Sequence, residues 1–373
     1  MLKRYFLTLL FICISPVAYA MDTAAKQAIV VDDTTGTVLF EKNADEKMHP
    51  SSMSKLMTVY IVFSHLKDGS LKLTDTLPVS EKAWKLQGSK SFVELGARID
   101  VDDLLKGIII QSGNDACEVV AEGLAGSEEG FVAQMNDMAK KLGLTNSHFA
   151  NPHGLSDPNH LMSAHDLATL AHHIIHDFPE YYHYFSQKDF VYHGIKQGNR
   201  NLLLYKDIGV DGLKTGHTDE GGFGMVSSAK DASGRRVIVV VNGLDNEKER
   251  AEESERLLAF AQRDFDNVTL LHAGEVIDKA NVWFGTSEQV GLTSTKDLVL
   301  TLPKAGRDKL KFTIVTNEYV QAPVKEGDHI ADLKIDSADA PEQVVPLVAD
   351  QAVEKLSGFK HAVRMLKYYA TGK

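Results

Sequence analysis

Behind Pro50 and Ser51, apolar Met53, Leu56, Met57, Tyr60, Ile61 and Phe63 recur at three- and four-residue spacing and predict a helix ending near His65. The same period predicts helices over residues 101–110, 116–124, 129–142 and 164–176, the last opened by Ser163 with Asp166 at capping-box spacing. On the N-terminal side of this helical block, the β-rich run 27–33, the turn Thr34-Thr35-Gly36 and the run 38–40 predict a hairpin. On its C-terminal side, residues 210–216, 223–228 and 236–242 read as three adjacent strands, followed by a charged helix from about 246 to 265. Strands at both ends of a helical middle imply one closed domain of mixed α and β structure. From about Asn267 the texture changes to short β-branched runs at 299–302, 311–316 and 330–335, which predicts a small all-β domain. Residues 353–373 return to helical period, with Leu356, Phe359, Val363, Leu366 and Ala370 on one stripe.

Composition adds compartment and excludes one class of partner. The chain has 373 residues, 43% hydrophobic and 24% charged, enough for a full core divided over two domains. Its net charge of -11 excludes nucleic-acid backbone binding as a global role, and no nucleic-acid partner is expected. Lys3 and Arg4, the apolar stretch 5–17 and Ala18-Tyr19-Ala20 have the layout of a cleaved export signal, so the mature chain is expected to start at Met21. Cys13 leaves with that signal, and Cys117 alone makes no internal disulfide; its apolar setting reads as a small buried hydrophobe. The terminal helix carries Lys355, Lys360, Arg364, Lys367 and Lys373 against Glu354, a local charge of +4 on an acidic protein. A basic amphipathic helix of this kind is expected to lie on an anionic membrane surface. The expected organisation is therefore a signal at 1–20, a catalytic domain at 21–266, a β-rich domain at 267–350 and a surface helix at 351–373.

Chemistry enters with Ser52-Met53-Ser54-Lys55, which sets a hydroxyl and an amine one helical turn apart, a nucleophile and its base if the amine is held neutral. The spacing alone is weak, since Ser64/Lys67, Ser227/Lys230 and Ser357/Lys360 share it. Ser52 differs from these in following Pro50 at a helix N-terminus, where the dipole and free N–H groups favour a nucleophile. Two further elements follow in order: Ser112-Gly113-Asn114 between helices, and Lys214-Thr215-Gly216-His217-Thr218 on a strand. S-x-x-K, S-D-N and K-T-G are the signature of penicillin-binding proteins and class A β-lactamases, with Gly113 here in the aspartate position. At Gly216 a side chain is expected to block close approach of a substrate backbone. His153 beside Gly154 reads as structural. His172 and His176 have the i, i+4 spacing of helical metal ligands, but no glutamate follows His172; a solvated helix face is expected, with no metal and no cofactor.

With these elements in view, the chain resembles the low-molecular-mass penicillin-binding proteins that are D-alanyl-D-alanine carboxypeptidases, types 5 and 6 in particular. The likeness rests on residues 50–58, 111–117, 151–155, Ser163-Ala164-x-Asp166 and 210–219, and spans nearly the whole mature chain. It implies a penicillin-binding or serine β-lactamase-like fold, an antiparallel sheet flanked by the helical block. It also implies that Ser52 attacks, Lys55 takes its proton and Ser112 relays a proton to the leaving group. Asn114 would orient the substrate amide and Lys55, Lys214 would tune the field at Ser112 and the substrate carboxylate, and the N–H groups of Ser52 and His217 would form the oxyanion hole. Thr215 and Arg250 would hold the terminal carboxylate, and Arg200 would reach the substrate arm. The implied substrate is the peptidoglycan pentapeptide, cut outside the membrane on the periplasmic face, with β-lactams as covalent inhibitors. D,D-endopeptidase action, serine β-lactamase action and a non-catalytic wall scaffold are the alternatives. No Glu-x-x-Leu-Asn run lies between Asn114 and Lys214 to serve a class A β-lactamase, and the three signature residues a scaffold would lose are present.

Overall fold

The computed structural model describes residues 21–305, 311–316, 320–337, 340–358, 362–363 and 365–366, so the expected signal at 1–20 lies outside the described residues. Strand β1 (Gln27–Asp32) turns into β2 (Val38–Lys42) as an antiparallel hairpin. Asp32 closes that turn by accepting the N–H groups of Thr34 and Thr35 at 3.1 and 3.0 Å. A short 3-10 turn, Ser51–Ser54, then feeds helix α1 (Lys55–Asp68), which Gly69 ends in the left-handed conformation at φ 79°. Helix α1 is buried on nearly every side, including Lys55, and runs through the middle of the core. Around it pack β3 (Thr76–Pro78), α2 (Glu81–Lys85), β4 (Arg98–Asp100), α3 (Val101–Lys106), α4 (Asn114–Ala125), α5 (Glu128–Lys141) and α6 (Ala164–Asp177).

The predicted helix over 101–110 is divided: after α3 the chain widens into a π-type turn at Gly107–Gln111, and Ser112 takes a left-handed φ of 64° before α4. Such widened turns gather at functional sites, and this one delivers Ser112. At α6 the predicted capping box is half realised. Ser163 Oγ accepts the Asp166 N–H at 3.1 Å, but the Asp166 carboxylate turns away to Asn146 N–H and Ser147 Oγ at 2.8 and 2.7 Å.

A short hairpin, β5 (Asp189–Tyr192) and β6 (Ile195–Gly198), precedes the long strands β7 (Val210–Thr218), β8 (Gly222–Lys230) and β9 (Arg236–Leu244) and helix α7 (Glu247–Asp264). Strands β1 and β2 join the long ones in a five-stranded antiparallel sheet, in the order β2-β1-β9-β8-β7, and β5 and β6 pair with each other. Strand β9 is buried along its length because its alternating side chains serve two cores. Ile238 and Val240 join the helical block, while Val237, Val239 and Val241 pack with Leu257 and Leu258 of α7. Strand β7 lies at the sheet edge.

The second domain comprises β10 (Phe265–Leu271), β11 (Asp278–Trp283), β12 (Gln289–Thr293), β13 (Leu298–Pro303), β14 (Lys311–Thr316), β15 (Val320–Gln321), β16 (His329–Ser337) and β17 (Ala340–Ala349). Pairing of β10 with β13 makes a two-stranded ladder beside a six-stranded sheet, and brings the start of this domain to Phe265, ahead of the expected 267. Buried Arg235 joins the domains, with Nε 2.7 Å from Asp32 Oδ2 and 3.3 Å from Asn267 Oδ1. The expected helix over residues 353–373 starts later. Val353 pairs with Val324, Lys355 pairs with Gly285, and Val353 is buried in the β core, so 351–356 complete the second domain. Apolar Val353 and Leu356 fit a helical period, but Val353 is used by the β core and the Leu356 N–H bonds Phe284 O at 2.7 Å. Of the remaining tail, the described Val363 and Leu366 are helical and exposed, and most of it lies outside the described residues.

Candidate active site

Lys55 has no solvent exposure, and its Nζ sits 2.8 Å from Ser52 Oγ and 2.8 Å from Asn114 Oδ1 while also donating to the His153 carbonyl. The 3-10 turn into α1 sets the serine and lysine on one face, as their spacing requires. Burial is the main cause that brings the Lys55 amine down to about 8; the Arg200 charge adds to it and Asp115 opposes it. An amine at about 8 is partly neutral near pH 7 and can take a proton from the hydroxyl it touches.

Asn114 is held on its other side as well. Its Nδ2 donates to Gln87 O at 2.7 Å and its backbone N–H to Ser89 O at 2.7 Å, so a loop at 87–91 wraps the site. The buried Asp115 carboxylate pins the next stretch by accepting the N–H groups of Ser91, Phe92 and Val93 at 2.7, 3.0 and 3.3 Å. Gly113 has a steric cause: a Cβ there would overlap Ser91 Oγ and lie 2.8 Å from Asp115 Oδ1. An aspartate in the middle of this element therefore does not fit this packing. The Ser112 hydroxyl is buried and has no hydrogen-bond partner among the described residues, a free donor and acceptor for substrate.

Lys214 is equally buried, donates to Thr215 O at 3.0 Å, and is pushed well below the ordinary lysine range by burial and then by the charges of Lys55, Arg200 and Arg250. Thr215 is buried beside it, and the exposed His217 ring stacks on Phe223 at 3.9 Å. Arg250 is 3% exposed and lies 5.8 Å over the same Phe223 ring. It is thus an interior cation. Its Nη2 reaches the Arg200 carbonyl at 3.5 Å and Glu247 at 3.8 Å, while its Nε has no partner among the described residues. Arg200 donates to Ser89 Oγ at 2.8 Å. Burial lowers Lys55, Lys214, Arg200 and Arg250 alike, and Arg200 adds to the lowering of the other three, so the cluster offers a setting for an anion such as a peptide carboxylate.

Gly216 has a steric cause within the chain itself. A Cβ there would meet Pro50 O at 2.9 Å, Met53 Cγ at 3.1 Å and Ser51 Cβ at 3.1 Å, all in the turn that carries Ser52. The missing side chain lets β7 close on the chain's own nucleophile turn, a steric cause inside the chain in addition to the expected approach of substrate. Ser51, at φ 50°, adds a bond from its Oγ to Thr218 Oγ1 at 2.8 Å across the same contact.

Sequence reasoning brought together Ser52, Lys55, Ser112, Asn114, Lys214 and Arg200, and missed the 87–91 loop, which has no motif of its own. His153 proves structural in its side chain, which burial and then the Lys55 charge hold neutral at about 3, but its carbonyl is a direct partner of Lys55. Cys117 is buried and its thiol is pushed up to about 12, chiefly by burial, so it stays protonated. His172 and His176 do not merely face solvent: both meet the buried carboxylate of Asp33.

Residues 15–246 match the family model described as D-alanyl-D-alanine carboxypeptidase, and residues 265–355 match that of the penicillin-binding protein 5 C-terminal domain. The chain is 37% identical over 335 residues to the D-alanyl-D-alanine carboxypeptidase DacD of Salmonella typhimurium, covering 88% of this chain and 86% of the relative. Penicillin-binding protein 5 from Haemophilus influenzae superposes with a TM-score of 0.83 at 36% identity, over 90% of this chain and 99% of that one. Penicillin-binding protein D2 from Listeria monocytogenes, solved in an ampicillin-bound form, superposes with a TM-score of 0.59 at 30% identity, over 64% and 97%. With Ser52 and a buried lysine in contact inside that shared domain, the chain belongs to the D-alanyl-D-alanine carboxypeptidase family and is a serine-type carboxypeptidase.

Proposed function

We propose that this enzyme removes the terminal D-alanine from peptidoglycan pentapeptides through an ester on Ser52. Ser52 Oγ attacks the carbonyl of the penultimate D-alanine as its proton passes to Lys55 Nζ. The C–N bond then breaks, and the departing amine takes a proton through Ser112, leaving free D-alanine and an acyl-serine. Water cleaves that ester, with Lys55 again as the base, releasing the shortened peptide and restoring the hydroxyl. The backbone N–H groups of Ser52 and His217 stabilise the tetrahedral oxyanion, a contribution of about 3 kcal/mol per donor. The edge position of β7 supports this assignment, since an extended peptide can lie along an edge strand with its terminal carboxylate toward Lys214, Thr215 and Arg250.

The observation that carries the proposal is the 2.8 Å contact between Ser52 Oγ and a buried Lys55 amine brought down to about 8. β-Lactams, cyclic amides that present the same carbonyl and carboxylate, acylate Ser52 by the first half of this sequence. Incubation with a D-Ala-D-Ala peptide and product analysis by mass spectrometry tests the activity: single D-alanine release supports it. Penicillin labelling without D-alanine release rejects it, and cleavage within cross-linked dimers alone points to an endopeptidase.

The same proposal places the mature enzyme on the periplasmic face of the inner membrane, exported by residues 1–20 and held peripherally by its C-terminal tail. Support comes from Lys360, Arg364, Lys367 and Lys373, with no acidic residue between 357 and 373, and from exposed Val363 and Leu366. Among the described residues no helix is long and apolar enough to cross a membrane. Truncation after Leu356, which spares the β-domain contacts of Val353 and Lys355, is expected to move the protein to the soluble fraction without loss of peptide hydrolysis. Unchanged membrane association refutes the anchor.

A further inference from the structure

We propose that Asp33, His172 and His176 form a binding site for one divalent transition-metal ion, zinc by ligand type, separate from the catalytic centre. His172 Nδ1 lies 2.8 Å from Asp33 Oδ1, and His176 Nε2 lies 3.0 Å from Asp33 Oδ2. The three donor atoms lie within 4.8 Å of one another, and the two imidazoles face each other at 4.3 Å between centroids. Tetrahedral zinc with bonds of about 2.0 Å sets its ligand atoms roughly 3.3 Å apart, so binding opens the two present contacts by a few tenths of an ångström and draws any wider donor pair inward from at most 4.8 Å, a movement the exposed imidazoles can supply.

The surroundings fit a bound cation. Asp33 directly follows β1, its side chain 4% exposed and its backbone fixed by an N–H bond to Arg236 O at 3.0 Å. His172 and His176, at 46% and 51% side-chain exposure, leave an entry path and room for water as a fourth ligand. Both histidines are in the last turns of α6, where the helix dipole favours positive charge. Asp177 adds a negative field at His172. The opposing charge is Arg236, with Nε 4.0 Å from Asp33 Oδ2, but its Nη1 and Nη2 are each engaged at 2.7 Å by the Asp211 carboxylate. A groove of about 190 Å³, lined in part by Val38, Thr169 and His172, opens beside the cluster.

A second three-residue group, Glu118, Glu128 and His153, is already filled by Lys82, whose Nζ stands 2.7 Å from Glu118 and 2.5 Å from Glu128. Two strands separate β1 from β7, so at about 4.8 Å per spacing the Asp33 site lies roughly 14 Å across the sheet from the catalytic strand. An ion there ties α6 to β1 and takes no part in acyl transfer.

The test uses the untagged chain, stripped with EDTA and titrated with zinc chloride by calorimetry and thermal unfolding. One equivalent of zinc and a melting temperature several degrees higher are expected, because an ion that binds only the folded state stabilises it. In His172→Gln/His176→Gln, zinc affinity falls by roughly a hundredfold or more and the thermal shift disappears, while penicillin labelling of Ser52 is unchanged. Glu128→Gln retains the zinc equivalent. Cobalt on the unaltered chain gives a reading that needs no variant: intense visible bands of four-coordinate geometry are expected. Absence of saturable binding, weak six-coordinate cobalt bands, or a zinc equivalent that survives the double substitution overturns the site.

Discussion

The Cβ that Gly216 lacks would lie 2.9 Å from the Pro50 carbonyl, closer than side-chain carbons approach an oxygen, so strand β7 and the turn bearing Ser52 depend on that gap to meet. Gly216→Ala pushes the strand off the nucleophile turn, although Gly216 need not touch the reacting atoms. A shift near 1 Å is enough to lower acylation by on the order of a hundredfold. Stopped-flow measurement of penicillin acylation is expected to show this loss with the fold retained. An unchanged rate would mean that the turn can retreat with the strand.

Lys55 acts only when neutral, so acylation is expected to rise with pH and level off above a midpoint near 8. Arg200 is one of the charges that lowers this amine, and Arg200→Gln is expected to move the midpoint upward. Lys55→Gln keeps a polar group against Asn114 but removes the base, at a cost of roughly 10²–10⁴ in rate. A pH-rate profile of acylation checks the set. A midpoint unmoved by Arg200→Gln would contradict the electrostatic coupling.

Gly113→Asp restores the β-lactamase form of the second element but places side-chain atoms on Ser91 and near the Asp115 carboxylate. Steric overlap and a like charge beside a buried carboxylate lower stability by about 2–4 kcal/mol. Urea unfolding is expected to show that loss. Ser91→Gly in the same chain relieves the overlap and recovers part of it; a fully stable single variant would contradict the packing.

Arg250 of α7, at 3% exposure, lies over the Phe223 ring on which His217 also stacks, and is proposed to hold the substrate carboxylate. Arg250→Gln is expected to raise KM for a D-Ala-D-Ala peptide by about tenfold or more, with a smaller change in kcat, because the lost charge grips the ground state and transition state alike. An amidated peptide without the terminal carboxylate is expected to be insensitive to the substitution. Equal losses on both peptides would place Arg250 outside carboxylate recognition.

Asp32 and Arg235 form a buried pair at 2.7 Å, and Asn267 brings the second domain onto both. Asp32→Asn strands the arginine charge and is expected to cost about 3–5 kcal/mol. Differential scanning calorimetry is the measurement. A melting temperature equal to the unaltered chain would show that Ala261 O and Phe265 O suffice for Arg235.

Local periodicity made the longer helices and the three long strands legible, because each is amphipathic or continuously apolar over enough residues to show its period, whereas the five-residue α2 showed none. The strands β3 and β4 are three residues each, too short to carry one. The tail misled for a physical reason: Val353 and Leu356 are spaced as a helix would space them, but the β domain needed Val353 in its core. At the site, Ser52, Lys55, Asn114 and Lys214 were legible as ordered motifs. The His153 carbonyl and the 87–91 loop were not, since backbone groups carry no residue signature. Asp33 was invisible as a partner of His172 and His176 because 139 residues separate it from the first of them.

Intact-protein mass spectrometry during turnover of a D-Ala-D-Ala pentapeptide, with free D-alanine quantified in the same sample, tests the account at its centre. A transient acyl mass mapped to Ser52, with one D-alanine released per turnover and neither seen in Ser52→Ala, is the predicted result. D-alanine release that persists in Ser52→Ala, or an adduct on any other residue, would contradict it.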